Sequence, residues 1–177
     1  ANMWRITNDF WDDWALLKNM FTRCEIWQSN VGPGCWPDCD MLPLGRIGVR
    51  FGQPRQTRFT PDEQKTLLTL WSIFRSPLIL GAELPSLDEA TLRLLTNRDV
   101  LRLNRHSFGA RQIVRDDAYA VWVSQDKDGS RYAALFNLSE KPREVSLDLR
   151  ELEGETFACR ELWSGEECTA QETLSCV

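Results

Sequence analysis

Thr60-Pro61-Asp62-Glu63-Gln64-Lys65-Thr66-Leu67-Leu68-Thr69-Leu70-Trp71-Ser72-Ile73-Phe74-Arg75-Ser76-Pro77-Leu78-Ile79-Leu80-Gly81 places a helix signal directly before a strand signal. Thr60 can accept from the amide three residues on, Pro61 suits the first helical position, and Glu63 can reach back to the Thr60 amide. Leu67, Leu70, Trp71 and Phe74 share one face, so the spacing predicts a helix to about Arg75. Pro77 to Gly81 then reads as a short buried strand. Ser86-Leu87-Asp88-Glu89 repeats the capping signature and opens another helix, with Leu92 and Leu95 inward. Upstream, Asp12-Asp13-Trp14 starts a helix with Trp14, Leu17, Phe21 and Cys24 inward, and its two acids suit the positive end of the helix dipole. Alternating strands and helices of this kind predict an α/β architecture.

Working outward, Gly32-Pro33-Gly34-Cys35-Trp36-Pro37-Asp38-Cys39-Asp40-Met41-Leu42-Pro43-Leu44-Gly45 cannot be regular helix, because its prolines interrupt the hydrogen-bond ladder. It reads as a strand end plus a loop. From about Ser107 the texture becomes short β-rich runs: Tyr119 to Val123, Arg131 to Phe136, Glu144 to Leu149 and Thr156 to Leu162. Asp126-Lys127-Asp128-Gly129 is the clearest turn among them. Glu144 to Leu149 alternates polar and apolar, as a strand with one face on a core does. The expectation is therefore an α/β part over residues 1–106 and an antiparallel β-domain over 107–177.

The 177 residues are 42% hydrophobic and 27% charged, the composition of a globular chain. Net charge is −5 with interspersed signs, which argues against a nucleic-acid partner. The apolar run near Leu78 to Leu80 is far short of the roughly 20 residues that span a bilayer, so no membrane segment is expected. The chain opens without an initiator Met or a signal-like segment, and the expectation is a portion of a longer protein. Six cysteines leave pairing and redox compartment open.

Asp9, Asp12, Asp13, Asp38 and Asp40 cluster in sequence with Trp4, Trp11, Trp14 and Trp36. Sugar rings stack their C–H faces on indoles and offer hydroxyls to carboxylates, and glycosidic cleavage needs two carboxyls flanking one bond. The same residues also fit helix capping and core packing. Cys35, Cys39, Asp38, Asp40 and the lone His106 lack the spacing of a zinc site, and no metal is expected.

Trp4-Arg5-Ile6-Thr7-Asn8-Asp9-Phe10-Trp11-Asp12-Asp13-Trp14 resembles the acid/base segment of the α-galactosidase family, glycoside hydrolase family 27. The Gly32 to Gly45 stretch is similar to that family's next active-site loop, in the same order and spacing. The likeness extends over nearly the whole chain. It implies the C-terminal part of a (β/α)8 barrel followed by an antiparallel β-sandwich, with the site at the C-terminal ends of the barrel strands. It further implies Asp9 as general acid/base, Arg5 as a substrate-contacting arginine, Asp40 as an acceptor of sugar hydroxyls, and Met41 and Trp36 as pocket walls. A proton carrier benefits from desolvation, which Phe10, Trp4 and Trp11 would supply and Arg5 would oppose. Asn8, Cys35, Pro37 and Cys39 depart from the family pattern without touching the proton carrier.

The implied reaction is removal of terminal α-linked galactose from oligosaccharides or glycoconjugates with retention, without a cofactor. α-N-acetylgalactosamine and β-L-arabinopyranose remain open as substrates, and oligomeric state is unread. The family's nucleophilic aspartate has no counterpart in these residues, and Thr169 to Val177 stop where that family's β-domain continues, so both ends are expected to be truncated and the isolated chain inactive. Relatives point to a periplasmic or secreted protein rather than a cytoplasmic one. A non-catalytic carbohydrate-binding module is the rival reading, and Asp9 is the residue that separates the two.

Overall fold

The computed structural model describes residues 2–177. Strand β1 (Met3–Arg5) pairs in parallel with β2 (Trp36–Asp38), in the register Met3↔Trp36, Trp4↔Pro37 and Arg5↔Asp38. Helix α1 (Trp14–Trp27) makes the crossover between them, as parallel neighbours require. Its cap is Asp13, whose carboxylate accepts from the amides of Ala15 at 2.8 Å and Leu16 at 3.3 Å. Leu17, Met20, Phe21 and Cys24 are buried, while Trp14 packs half-buried on the same core.

Strands β3 (Arg46–Ile47) and β4 (Arg55–Gln56) form a small antiparallel hairpin ahead of helix α2 (Pro61–Phe74). The reciprocal cap is present: Thr60 Oγ1 accepts from the Glu63 amide at 3.3 Å, and Glu63 Oε2 accepts from the Thr60 amide at 2.7 Å. The helix stops at Arg75, which turns left-handed (φ 66°). Its buried set includes Leu68 and Ile73 as well as the expected face, because α2 is covered by a later helix and by a β-sheet in addition to α1.

Two expectations need correction here. Pro77 to Gly81 is not a buried strand: it makes one parallel bridge, Leu42↔Leu80, with the Leu42 amide donating to Ile79 O at 2.7 Å. Ile79 is 46% exposed, since among the described residues nothing pairs with the outer edge of this run. The second capping signature is also displaced. Ser86 closes a short 3-10 turn, and Asp88 caps α3 (Glu89–Leu95) by accepting from the Thr91 amide at 2.8 Å. That shift turns Leu92 outward and sends Thr91, Leu94 and Leu95 toward the interior.

Helix α4 (Arg98–His106), capped by Asn97, ends one residue before β5 (Phe108–Arg115) begins. Strands β5, β6 (Tyr119–Gln125) and β7 (Arg131–Asn137) form one antiparallel sheet. Strands β8 (Val145–Asp148), β9 (Thr156–Arg160), β10 (Glu167–Gln171) and β11 (Thr173–Cys176) form a second, in the order β8-β11-β10-β9. The sequence pattern did not mark β5, β10 and β11. In β5 the reason is physical, because register shifts between Phe108 and Arg111 and between Gln112 and Val114 break the alternation.

The first sheet is buried on both faces. Ala120, Trp122, Ala134 and Phe136 join the core built by α1 and α2, where Phe21 meets Phe136 at 4.9 Å and Phe74 meets Trp122 at 6.1 Å. Val121 and Val123 point the other way, to Val145, Leu147 and Leu149 of the second sheet. A strand covered on two sides has no polar face to show, which is why β6 reads as a nearly unbroken apolar run. The architecture is an arc of (β/α)8 barrel docked on an antiparallel β-sandwich.

Candidate active site

The chain leaves β1 at Arg5 and β2 at Asp38, so the residues that follow both strands collect at the C-terminal edge of the parallel arc. Arg5 Nη2 lies 3.2 Å from Asp9 Oδ1 and 3.0 Å from Asp40 Oδ2, and so holds two carboxylates from different loops. The Phe10 amide donates to the same Asp40 Oδ2 at 2.7 Å. Asp40 is held in the left-handed region (φ 76°), where a side chain is strained, and three contacts keep it there. Its amide donates to Asp38 Oδ1 at 2.9 Å, its carbonyl accepts from Trp71 Nε1 at 3.1 Å, and its carboxylate takes the Arg5 and Phe10 donors.

Asp38 is buried at 4% exposure. Burial pushes its carboxyl above the usual carboxylate range; the Asp40 charge adds to that, while the Asp40 amide and the Arg5 guanidinium oppose it. Met41 sits over Gly81, where a Cβ would come 2.5 Å from the Met41 sulfur, so a side chain there would push the Met41 side chain aside.

An open cavity of about 450 Å³ is lined by Asp9, Trp11, Asp40, Met41 and Phe51, among others. A shallower depression of about 590 Å³ borders Arg5, Thr7, Asn8 and Asp9 on the other side. The Asp9 side chain is 86% exposed and faces both. Among the five clustered acids, Asp9 and Asp40 line a cavity, and Asp9 is the more exposed of the two. Asp13 caps α1, and Asp12 is buried beneath a two-pronged Arg55 clamp, with Arg55 Nη2 2.7 Å from Asp12 Oδ1. Burial pushes the Asp12 carboxyl up, but Arg55 and the Arg58 amide, 2.6 Å away, outweigh it and hold it below the ordinary 3.8.

The structure brings Arg5, Asp9, Asp40 and Met41 together and leaves Trp36 out. Trp36 stands at the opposite, N-terminal end of β2, with the Arg75 guanidinium 4.6 Å over its ring, and it is not among the residues lining either described cavity. Strand direction fixes this: the wall of a site at a parallel strand's C-terminal end comes from residues after the strand, and Trp36 begins it. The expected desolvating shell is likewise reduced to Trp11. Phe10 is turned into the core against Trp71 at 5.0 Å, and Trp4 packs on Trp27 at 5.6 Å.

The supporting role of Trp71 was invisible from spacing, because it reaches Asp40 across 31 positions of sequence. The arrangement supplies an accessible carboxyl and a second carboxylate with unfilled lone pairs on one cavity, with a guanidinium bridging them from its flank. That set can exchange a proton with a bound group and bind hydroxyls. Among the described residues, no group of three or more His, Cys, Asp or Glu is arranged to hold a metal ion, and no helix is long and apolar enough to cross a membrane.

Comparison with known proteins gives two family matches that divide the chain. The family described as "Alpha galactosidase A" matches residues 1–106, and "Alpha galactosidase C-terminal beta sandwich domain" matches residues 116–176. Alpha-galactosidase D of Emericella nidulans is 33% identical over 156 residues, covering 86% of this chain and 22% of the relative. Alpha-galactosidase 2 of Arabidopsis thaliana is 26% identical over 186 residues, covering 100% of this chain and 42% of the relative. The crystal structure of a family 27 β-L-arabinopyranosidase from Geobacillus stearothermophilus superposes with a TM-score of 0.95 at 50% identity, covering 99% of this chain and 42% of that one. The chain thus spans less than half the length of each of these relatives.

Proposed function

Because the chain belongs to the α-galactosidase family, glycoside hydrolase family 27, we propose that the complete protein is a retaining glycosidase removing terminal α-linked galactose from oligosaccharides or glycoconjugates. The observation that carries this reading is the Arg5 guanidinium between Asp9 and Asp40, two carboxylates that line one cavity. Asp9 is the proton carrier: it protonates the departing glycosidic oxygen, then takes the proton of the water that releases the glycosyl group from the enzyme. Arg5 and Asp40 bind sugar hydroxyls, and Met41 walls the pocket.

Retention needs a second carboxyl as nucleophile, on the far face of the sugar. None of the residues here is assigned that part, so this stretch on its own is expected to turn nothing over. The nucleophile belongs to the remainder of a barrel, of which residues 1–106 are less than half.

The 50% identity to a β-L-arabinopyranosidase favours a second sugar. β-L-Arabinopyranose has the ring stereochemistry of α-D-galactopyranose without the C6 hydroxymethyl group, so the same Arg5, Asp9 and Asp40 arrangement serves both. The test is to express the complete reading frame and assay p-nitrophenyl α-galactoside against the β-L-arabinopyranoside and the α-N-acetylgalactosaminide. Hydrolysis of one, lost in Asp9→Asn while sugar binding persists, is the expected result. Turnover that survives in Asp9→Asn would remove the assignment, and no hydrolysis of any substrate would leave a carbohydrate-binding module.

A further inference from the structure

Phe51 is an aromatic ring left 66% exposed in the connection between β3 and β4, and it belongs to neither buried core. It faces Trp11, with ring centroids 6.0 Å apart and planes inclined at 58°. Both rings line the cavity that holds Asp9 and Asp40, and Trp11 follows Asp9 by two residues. Two aromatic rings beside the carboxyls of one cavity offer flat faces on which the C–H groups of a sugar can stack.

The geometry is held rigidly. Gly48 (φ 78°) and Gly52 (φ 68°) bracket the 3-10 turn Val49–Phe51, and a Cβ on Gly48 would meet Gln53 O at 2.3 Å. The Gln53 amide donates to Gly48 O at 3.1 Å, and Arg55 clamps the hairpin to Asp12, the residue after Trp11. Asp12, held by Arg55 and by the Arg58 amide, therefore sets the spacing of the two rings. The same cavity carries the Arg46–Glu83 pair, 2.9 Å apart and partly exposed, as donors and acceptors for hydroxyls.

We propose that Trp11 and Phe51 form a subsite for the sugar on the leaving-group side of the scissile bond, a neutral hexopyranose whose C–H face stacks on the rings while Arg46 and Glu83 take its hydroxyls. The inference rests on the reading that Asp9 protonates the glycosidic oxygen. That oxygen belongs to the leaving sugar, and Trp11, Phe51, Arg46 and Glu83 share a cavity with Asp9 whose lining does not include Arg5, the guanidinium assigned to the retained sugar. Stacking on aromatic rings suits a neutral pyranose, because its axial C–H groups meet the negative face of the π-system.

The test compares two substrates with the same terminal sugar in the complete enzyme: an α-linked disaccharide, and the glycosyl fluoride, whose leaving group is a single atom. Phe51→Ala is expected to lower kcat/KM for the disaccharide by about five- to tenfold and to change the fluoride by less than about twofold. Phe51→Tyr should restore the disaccharide rate. Phe51 is exposed and belongs to neither core, so its removal spares the packing. Equal losses on both substrates, or no loss on the disaccharide, would overturn the subsite. Failure of the unsubstituted enzyme to cleave either substrate would instead overturn the glycosidase reading beneath it.

Discussion

Replacing Arg55 by Ala should cost far more than loss of a surface arginine. Asp12 has a side chain only 1% exposed and receives two charge-assisted hydrogen bonds from Arg55, plus one from the Arg58 amide at 2.6 Å. Hydrogen bonds to a charged group contribute roughly 1.5–3 kcal/mol each when shielded. The Arg55 side chain is 34% exposed, so solvent screening takes the pair toward the lower end. The substitution strands a buried carboxylate with one amide donor, for a loss of about 2–4 kcal/mol. With a urea slope of about 2 kcal/mol per molar, the unfolding midpoint should fall by about 1–2 M.

The pH dependence has a defined sign. The folded-state pKa of Asp12 is depressed, because Arg55 and the Arg58 amide together outweigh burial, so its contribution is complete above the unfolded value near 3.8 and disappears as pH falls through the lower folded value. The stability gap between parent and Arg55→Ala is therefore full at neutral pH and closes below about pH 4. Urea titrations of both proteins at neutral and acidic pH check this. A gap under about 1 kcal/mol at neutral pH, or one that stays constant into acid, would refute the reasoning.

Two further changes probe the site from outside it. Trp71→Phe keeps the ring contact with Phe10 but deletes the donor to the Asp40 carbonyl, and should destabilise by about 1–3 kcal/mol while raising KM more than it lowers kcat in the complete enzyme; an unchanged KM would show that Asp40 keeps its conformation without that bond. Gly48→Ala should cost clearly more than Gly52→Ala, by about 1–2 kcal/mol, because both have positive φ but only Gly48 meets a backbone oxygen at 2.3 Å. Limited proteolysis of the hairpin compares them, and equal cleavage rates would contradict the packing argument.

The sequence by itself determined the elements whose signals are local. A reciprocal cap needs four residues and a buried helical face needs about a dozen, so α1, α2 and the β-rich character beyond Ser107 could be read directly. Arg5, Asp9, Asp40 and Met41 lie in two short segments with recognisable spacing, and the structure gathers all four at one cavity and its flank. Tertiary structure alone decided what depends on partners distant in the chain. Trp36 was lost from the pocket because strand direction, not proximity in sequence, sets which end of β2 a side chain serves. Asp12 looked equivalent to Asp9 until Arg55, 43 positions away, closed over it. Phe51 and Trp11 gave no joint signal, since 40 residues separate them and the contacts of Asp12 with Arg55 and the Arg58 amide, which draw the hairpin over the first loop, set one ring against the other. Local hydrogen bonds and periodicity are written in neighbouring residues, whereas a site is closed by contacts whose loop entropy only the packed fold can offset.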